Sequence, residues 1–104
     1  MRKSEVFELV LDTIERETEI PREYIVSSKK DAEIVDARYI LVYSLHCKGF
    51  YFKEIAQLLR MTRQAVNKII TKIDTHYSKG GKMFETNLNR ICKMLEIKEL
   101  RTKV

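Results

Sequence analysis

The stretch Phe52-Lys53-Glu54-Ile55-Ala56-Gln57-Leu58-Leu59-Arg60-Met61-Thr62-Arg63-Gln64-Ala65-Val66-Asn67-Lys68-Ile69-Ile70 holds two apolar patterns of helical spacing with a very short break between them. Phe52, Ile55, Ala56 and Leu59 fall at i, i+3, i+4 and i+7, and Val66, Ile69, Ile70 and Ile73 repeat that pattern. Thr62 is a good N-cap for the second helix, because its hydroxyl can accept one of the N–H groups left unpaired in the first turn. Arg60 and Met61 then form the turn. No glycine is available there, so one of the two must take the left-handed backbone conformation at some conformational cost. The small side chain of Ala56 lets the two helices cross closely, with Ile55, Leu59, Val66 and Ile69 as the wedge between them.

The face of the second helix that remains is Arg63, Gln64, Asn67, Lys68, Thr71 and Lys72, polar throughout, and no acid occurs from Arg60 until Asp74. The pair resembles a helix-turn-helix spanning about residues 51–75. Such a face suits a major groove: Arg pairs with guanine, Gln and Asn with adenine, and Lys with guanine or phosphate. Arg63, Gln64, Asn67 and Lys68 are the candidate base readers. Lys53, Arg60, Thr62, Thr71 and Lys72 are candidates for phosphate contact, helped by the N–H groups of the second helix's first turn. The competing reading is a plain helical hairpin with a solvated face.

Outward from this segment, helical patterns continue in both directions. Val6, Phe7, Val10, Leu11 and Ile14 mark one face of a helix from about residue 4 to 18, with Ser4 as its expected N-cap. Pro21 begins a short helical turn whose Tyr24 and Ile25 are expected to pack inward. Asp31 is the expected cap of a long helix to about Cys47, on which Ile34, Val35, Arg38, Leu41, Val42 and Leu45 form the inward stripe and Tyr39 and Tyr43 the core edge. Gly49 ends it. Residues 78–82 are expected to be the most flexible stretch, followed by a last helix over about 82–97 with Met83, Phe84, Leu88, Ile91, Cys92 and Leu95 on its apolar side.

Composition agrees with an all-α domain. The 104 residues include only 3 Gly and 1 Pro, and 44% are hydrophobic and 34% charged, which describes one globular unit rich in helix formers. The net charge of +5 is unevenly spread. Residues 1–45 carry seven basic and ten acidic groups, a balance of −3, whereas residues 46–104 carry thirteen and five, a balance of +8. A basic half of that kind favours a polyanionic partner. No apolar run approaches the roughly 18–20 residues of a membrane span, and the amino terminus lacks a signal-peptide pattern, so a cytoplasmic protein is expected. Cys47 and Cys92 are far apart and read as buried free thiols; His46 and His76 are isolated. No metal or cofactor motif, phosphate-binding loop or catalytic grouping is present in the sequence.

A narrower resemblance covers residues 6–74. Their order is an opening helix, an Ile-Pro-x-x-x-Ile turn (Ile20, Pro21, Ile25) and a Ser/Lys-rich loop. A long helix with Glu33-Ile34-Val35 and Ala37-Arg38 follows, then a Glu54-Ile55 helix and a helix holding Val66 and Lys72-Ile73. This resembles the C-terminal DNA-binding domain of the bacterial chromosomal replication initiator DnaA. The resemblance implies a Trp-repressor-like helical fold with an extra C-terminal helix and without the ATPase domain. It also implies a minor-groove role for the loop at Lys30 and a phosphate contact for Arg38. The family's origin-reading signature is replaced by Met61-Thr62-Arg63-Gln64-Ala65-Val66, which implies a different target sequence.

The expectation is therefore a non-catalytic module that binds specific double-stranded DNA in replication or transcription, as monomer or homodimer, without cofactor, small-molecule ligand or membrane. The alternative is a helical adaptor or dimerisation module whose surface is formed by the helix pair and the C-terminal helix. The feature behind it is the apolar stripe Met83, Phe84, Leu88, Ile91 and Leu95, although that stripe is expected to pack back on the core.

Overall fold

The computed structural model describes residues 1–79 and 81–98. Among them are six helices and no strand: α1 (Lys3–Thr18), α2 (Arg22–Ile25), α3 (Ala32–Cys47), α4 (Phe52–Leu59), α5 (Arg63–Lys79) and α6 (Lys82–Leu95). The chain is all-α, and no helix of the described residues is long and apolar enough to cross a membrane.

The organising element is α3, which packs against each of the other five helices. Here the expected one-sided stripe is corrected. Ile34, Ala37 and the run Ile40, Leu41, Val42, Tyr43, Ser44 and Leu45 are all buried, while Val35 and Arg38 are only half-buried. A helix buried on every side is one surrounded by neighbours, and its sequence then loses the helical period. Asp31 does precede α3, but its carboxylate makes no capping bond. Gly49 terminates the helix with φ of +93°, a conformation open to glycine at little cost.

Around α3, the buried face of α1 carries Val10, Leu11 and Ile14 as expected. Its start is one turn's edge earlier than Ser4: Arg2 is the cap residue, and the Glu5 carboxylate accepts its backbone N–H at 3.0 Å. In α2, Ile25 is fully buried but Tyr24 is 45% exposed, contrary to expectation, with the Lys29 ammonium 5.1 Å from its ring centre. A single helical turn has room to bury one large side chain, and Ile25 takes that place.

At the other end, α5 continues to Lys79, so Ser78 and Lys79 are helical rather than part of a loop. Tyr77 holds that last turn in the core, its hydroxyl paired with Asn89 of α6. Gly80, in the same expected flexible stretch, lies outside the described residues. The last helix buries Phe84, Leu88, Ile91, Cys92 and Leu95 against α1, α3 and α5, and one core cluster runs from Val10 to Leu95. Met83 departs from the expected stripe and is 74% exposed. Cys92 is buried, but Cys47, at the end of α3 where the helix emerges from its neighbours, is exposed.

Candidate nucleic-acid interface

The α4–α5 pair is built from local bonds upward. Glu54 accepts the Tyr51 backbone N–H at 2.8 Å and thereby caps α4. Lys3 reaches across from α1 and donates to the same carboxylate at 2.5 Å, its ammonium 5.1 and 5.0 Å from the ring centres of Phe50 and Tyr51. The Lys3 bond, and then the Tyr51 N–H, hold the Glu54 carboxyl below its usual pKa. The beginning of α4 is thus braced by the first helix of the chain.

At the turn, Arg60 takes the left-handed conformation, with φ 53° and ψ 45°. This closes α4 tightly: the Met61 N–H donates to the Ala56 carbonyl at 2.9 Å, and Met61 folds back against the core. Thr62 then caps α5, its hydroxyl oxygen accepting the Ala65 N–H at 3.0 Å. That leaves the hydroxyl proton free to be donated to a phosphate. Ile55, Ala56 and Leu59 of α4 meet Val66 and Ile69 of α5 in the buried wedge.

With those side chains turned inward, Arg63, Gln64, Asn67, Lys68, Thr71 and Lys72 are exposed along one stripe of α5. At the helical rise the stripe is about 13 Å long. Apart from the Thr71 hydroxyl, which donates to the Lys68 carbonyl at 3.1 Å, none of these side chains has a hydrogen-bond or ionic partner among the described residues. Lys53, in the first turn of α4, and Arg60, at the turn, are exposed beside them. A shallow depression of about 590 Å3 lies between the two helices, lined by Phe52, Arg63, Gln64 and Asn67.

Two candidates stand apart from this group. Lys30 is exposed in the connection between α2 and α3. Arg38 points back to α2: its guanidinium donates to the carbonyls of Ile25 at 3.0 Å and Tyr24 at 3.4 Å, closing the end of that short helix. Burial pulls the Arg38 pKa below its ordinary value.

Sequence reading missed two features. Phe52, which the helical spacing places on the inward face of α4, is only partly buried and lines the depression. Phe50, Tyr51 and Phe52 are consecutive, and consecutive side chains point in different directions, so the run alone signalled that not all three could be buried. His76 is not isolated: it bonds Asp36 at 2.7 Å and packs with Tyr39 and Phe84 at ring separations of 4.3 and 4.5 Å, clamping α5 to α3 and α6. No sequence period links residues 36 and 76, so only the tertiary fold reveals that pairing. Among the described residues no group of three His, Cys, Asp or Glu side chains could hold a metal ion.

No family model matches the chain, and neither a curated protein nor a solved structure matches it.

Proposed function

We propose that the protein binds specific double-stranded DNA, with α4 and α5 acting as a helix-turn-helix and α5 entering the major groove. The observation that carries this reading is the exposed stripe of α5: four side chains suited to base edges, and two flanking ones suited to phosphate, with no acid and no ionic partner among the described residues. A face that served only the fold would be expected to pair some of its cations, as the first half of the chain does. In this reading Arg63, Gln64, Asn67 and Lys68 contact bases. Lys53, Arg60, Thr62, Thr71 and Lys72 hold phosphates and set register. The role is regulation of replication or transcription, on a target different from the initiator's origin box.

Selection from a random duplex pool, followed by titration of the selected site, tests the proposal. Selected DNA should bind far more tightly than random DNA, with affinity falling steeply as salt rises because condensed counterions are released. Equal, weak and salt-insensitive binding of both would overturn it.

A further inference from the structure

The depression between α4 and α5 has an unusual composition for a surface among hydrogen-bonding side chains. Its wall residues are Arg63, Gln64 and Asn67, yet it is mostly apolar, because Phe52 and the aliphatic stems of its neighbours supply the surface. Phe52 is fixed in place. One side packs against the core, and the His46 ring lies 5.3 Å away at a tilt of 49°. Its remaining surface is therefore a rigid apolar patch, presented among the side chains proposed to read bases.

In the major groove only one base carries an apolar group, the 5-methyl of thymine. We propose that this depression receives a thymine methyl, with Phe52 as the contacting surface, next to an adenine read by Gln64 or Asn67. The pair of contacts distinguishes A·T from both T·A and G·C, since cytosine has no methyl and a reversed pair puts the methyl on the other strand. The inference rests on the DNA-binding reading above and assigns one specificity determinant within it.

The test uses the full-length protein and a selected site in which each thymine is replaced in turn by deoxyuridine, removing the methyl and leaving the base pair intact. At one position the replacement should weaken binding about four-fold, the loss expected for one buried methyl. Phe52→Ala should make the protein indifferent to that replacement. Because this variant also loses core contact, the wild-type protein supplies a second readout. With 5-iododeoxyuridine at the sensitive position, whose iodine occupies the methyl's place, irradiation should crosslink Phe52. Selective binding with no uracil-sensitive position, or a crosslink to another residue, would overturn the inference and leave the DNA-binding reading standing. Absence of any selected site would remove both.

Discussion

Arg22 and Arg63 each open a helix, α2 and α5, but their surroundings are opposite. Arg22 is half-buried among Glu8 at 2.7 Å, Glu15 at 3.3 Å and Asp12. Its backbone N–H also donates to Glu15 at 2.8 Å. Arg63 is exposed and meets no carboxylate among the described residues. The contrast extends to the regions around them. Lys3, Arg22 and Arg38 of the first half are spent on contacts that join helices, and the groove between α1, α3 and α6 is rimmed by Glu17, Glu19, Glu33 and Asp36. Lys3, Arg22 and Arg38 bind helices to one another, whereas the cations of the α5 stripe have no ionic partner among the described residues. Acidic surface on the first half also disfavours binding of a polyanion there, which would orient the molecule with α5 toward it.

The largest expected effect breaks the comparison at Arg63. Arg63→Ala should lose about ten- to hundred-fold in discrimination at one base pair, the usual worth of a bidentate Arg–guanine contact, with little change in melting temperature. Binding to the selected site and to its single-base variants, beside a thermal melt, measures both. A lowered melting temperature with discrimination intact would put Arg63 in the same class as Arg22.

Arg38 should behave in the opposite way. Its guanidinium bonds two α2 carbonyls, and Arg38→Met should cost about 2 kcal/mol of stability in urea unfolding, the scale for charged hydrogen bonds. DNA affinity, measured well below the transition, should be unchanged. Lost affinity with an unchanged urea midpoint would instead support the phosphate role that the resemblance to the initiator family implies.

These two arginines also mark how far sequence reading reaches. The two helices α4 and α5 were legible because an amphipathic helix prints its buried face at regular spacing, and only three residues separate Leu59 from Arg63. Even the conformational cost assigned to Arg60 or Met61 falls on Arg60. The direction of Arg38 was not legible, since its guanidinium is set by carbonyls at positions 24 and 25 that come near only after α2 docks on α3. The stripe proposed for α3 failed for a related reason: a central helix contacts neighbours all round, so its apolar residues have no single face to mark. On α6, helical spacing identified Phe84, Leu88, Ile91 and Leu95 as one face, but not whether that face would meet another chain. The fold buries those four side chains internally and leaves Met83 of the same stripe exposed.

A smaller effect separates location from charge. Lys72→Gln and Arg16→Gln remove the same charge, the first from the α5 stripe and the second from an exposed site on acidic α1. Lys72→Gln should weaken binding to all sequences alike and reduce the slope of log affinity against log salt by about one. Arg16→Gln should leave the slope as it is. Equal changes from both would mean that net charge, rather than the α5 face, drives association.

The smallest effect lies where the two regions meet, at the bond from Lys3 of α1 to Glu54 of α4. Glu54 has a carboxyl pKa held below its ordinary value, so its contribution to stability is present above the pKa of an unfolded glutamate, about 4.3. That contribution is lost as pH falls through the depressed folded value. Glu54→Gln keeps an oxygen to accept the Tyr51 N–H but cannot pair with the Lys3 ammonium. The variant should therefore melt slightly below the wild type at neutral pH, with the two curves converging as the pH falls through the depressed folded value. Because Glu54 is well solvated, the gap should be small at every pH. A gap that stays constant from neutral to acid would show that the carboxylate's charge has no part in bracing α4. The brace would then come from the backbone cap and the packing of Phe50 alone, leaving the α4–α5 pair electrostatically independent of the first half of the chain.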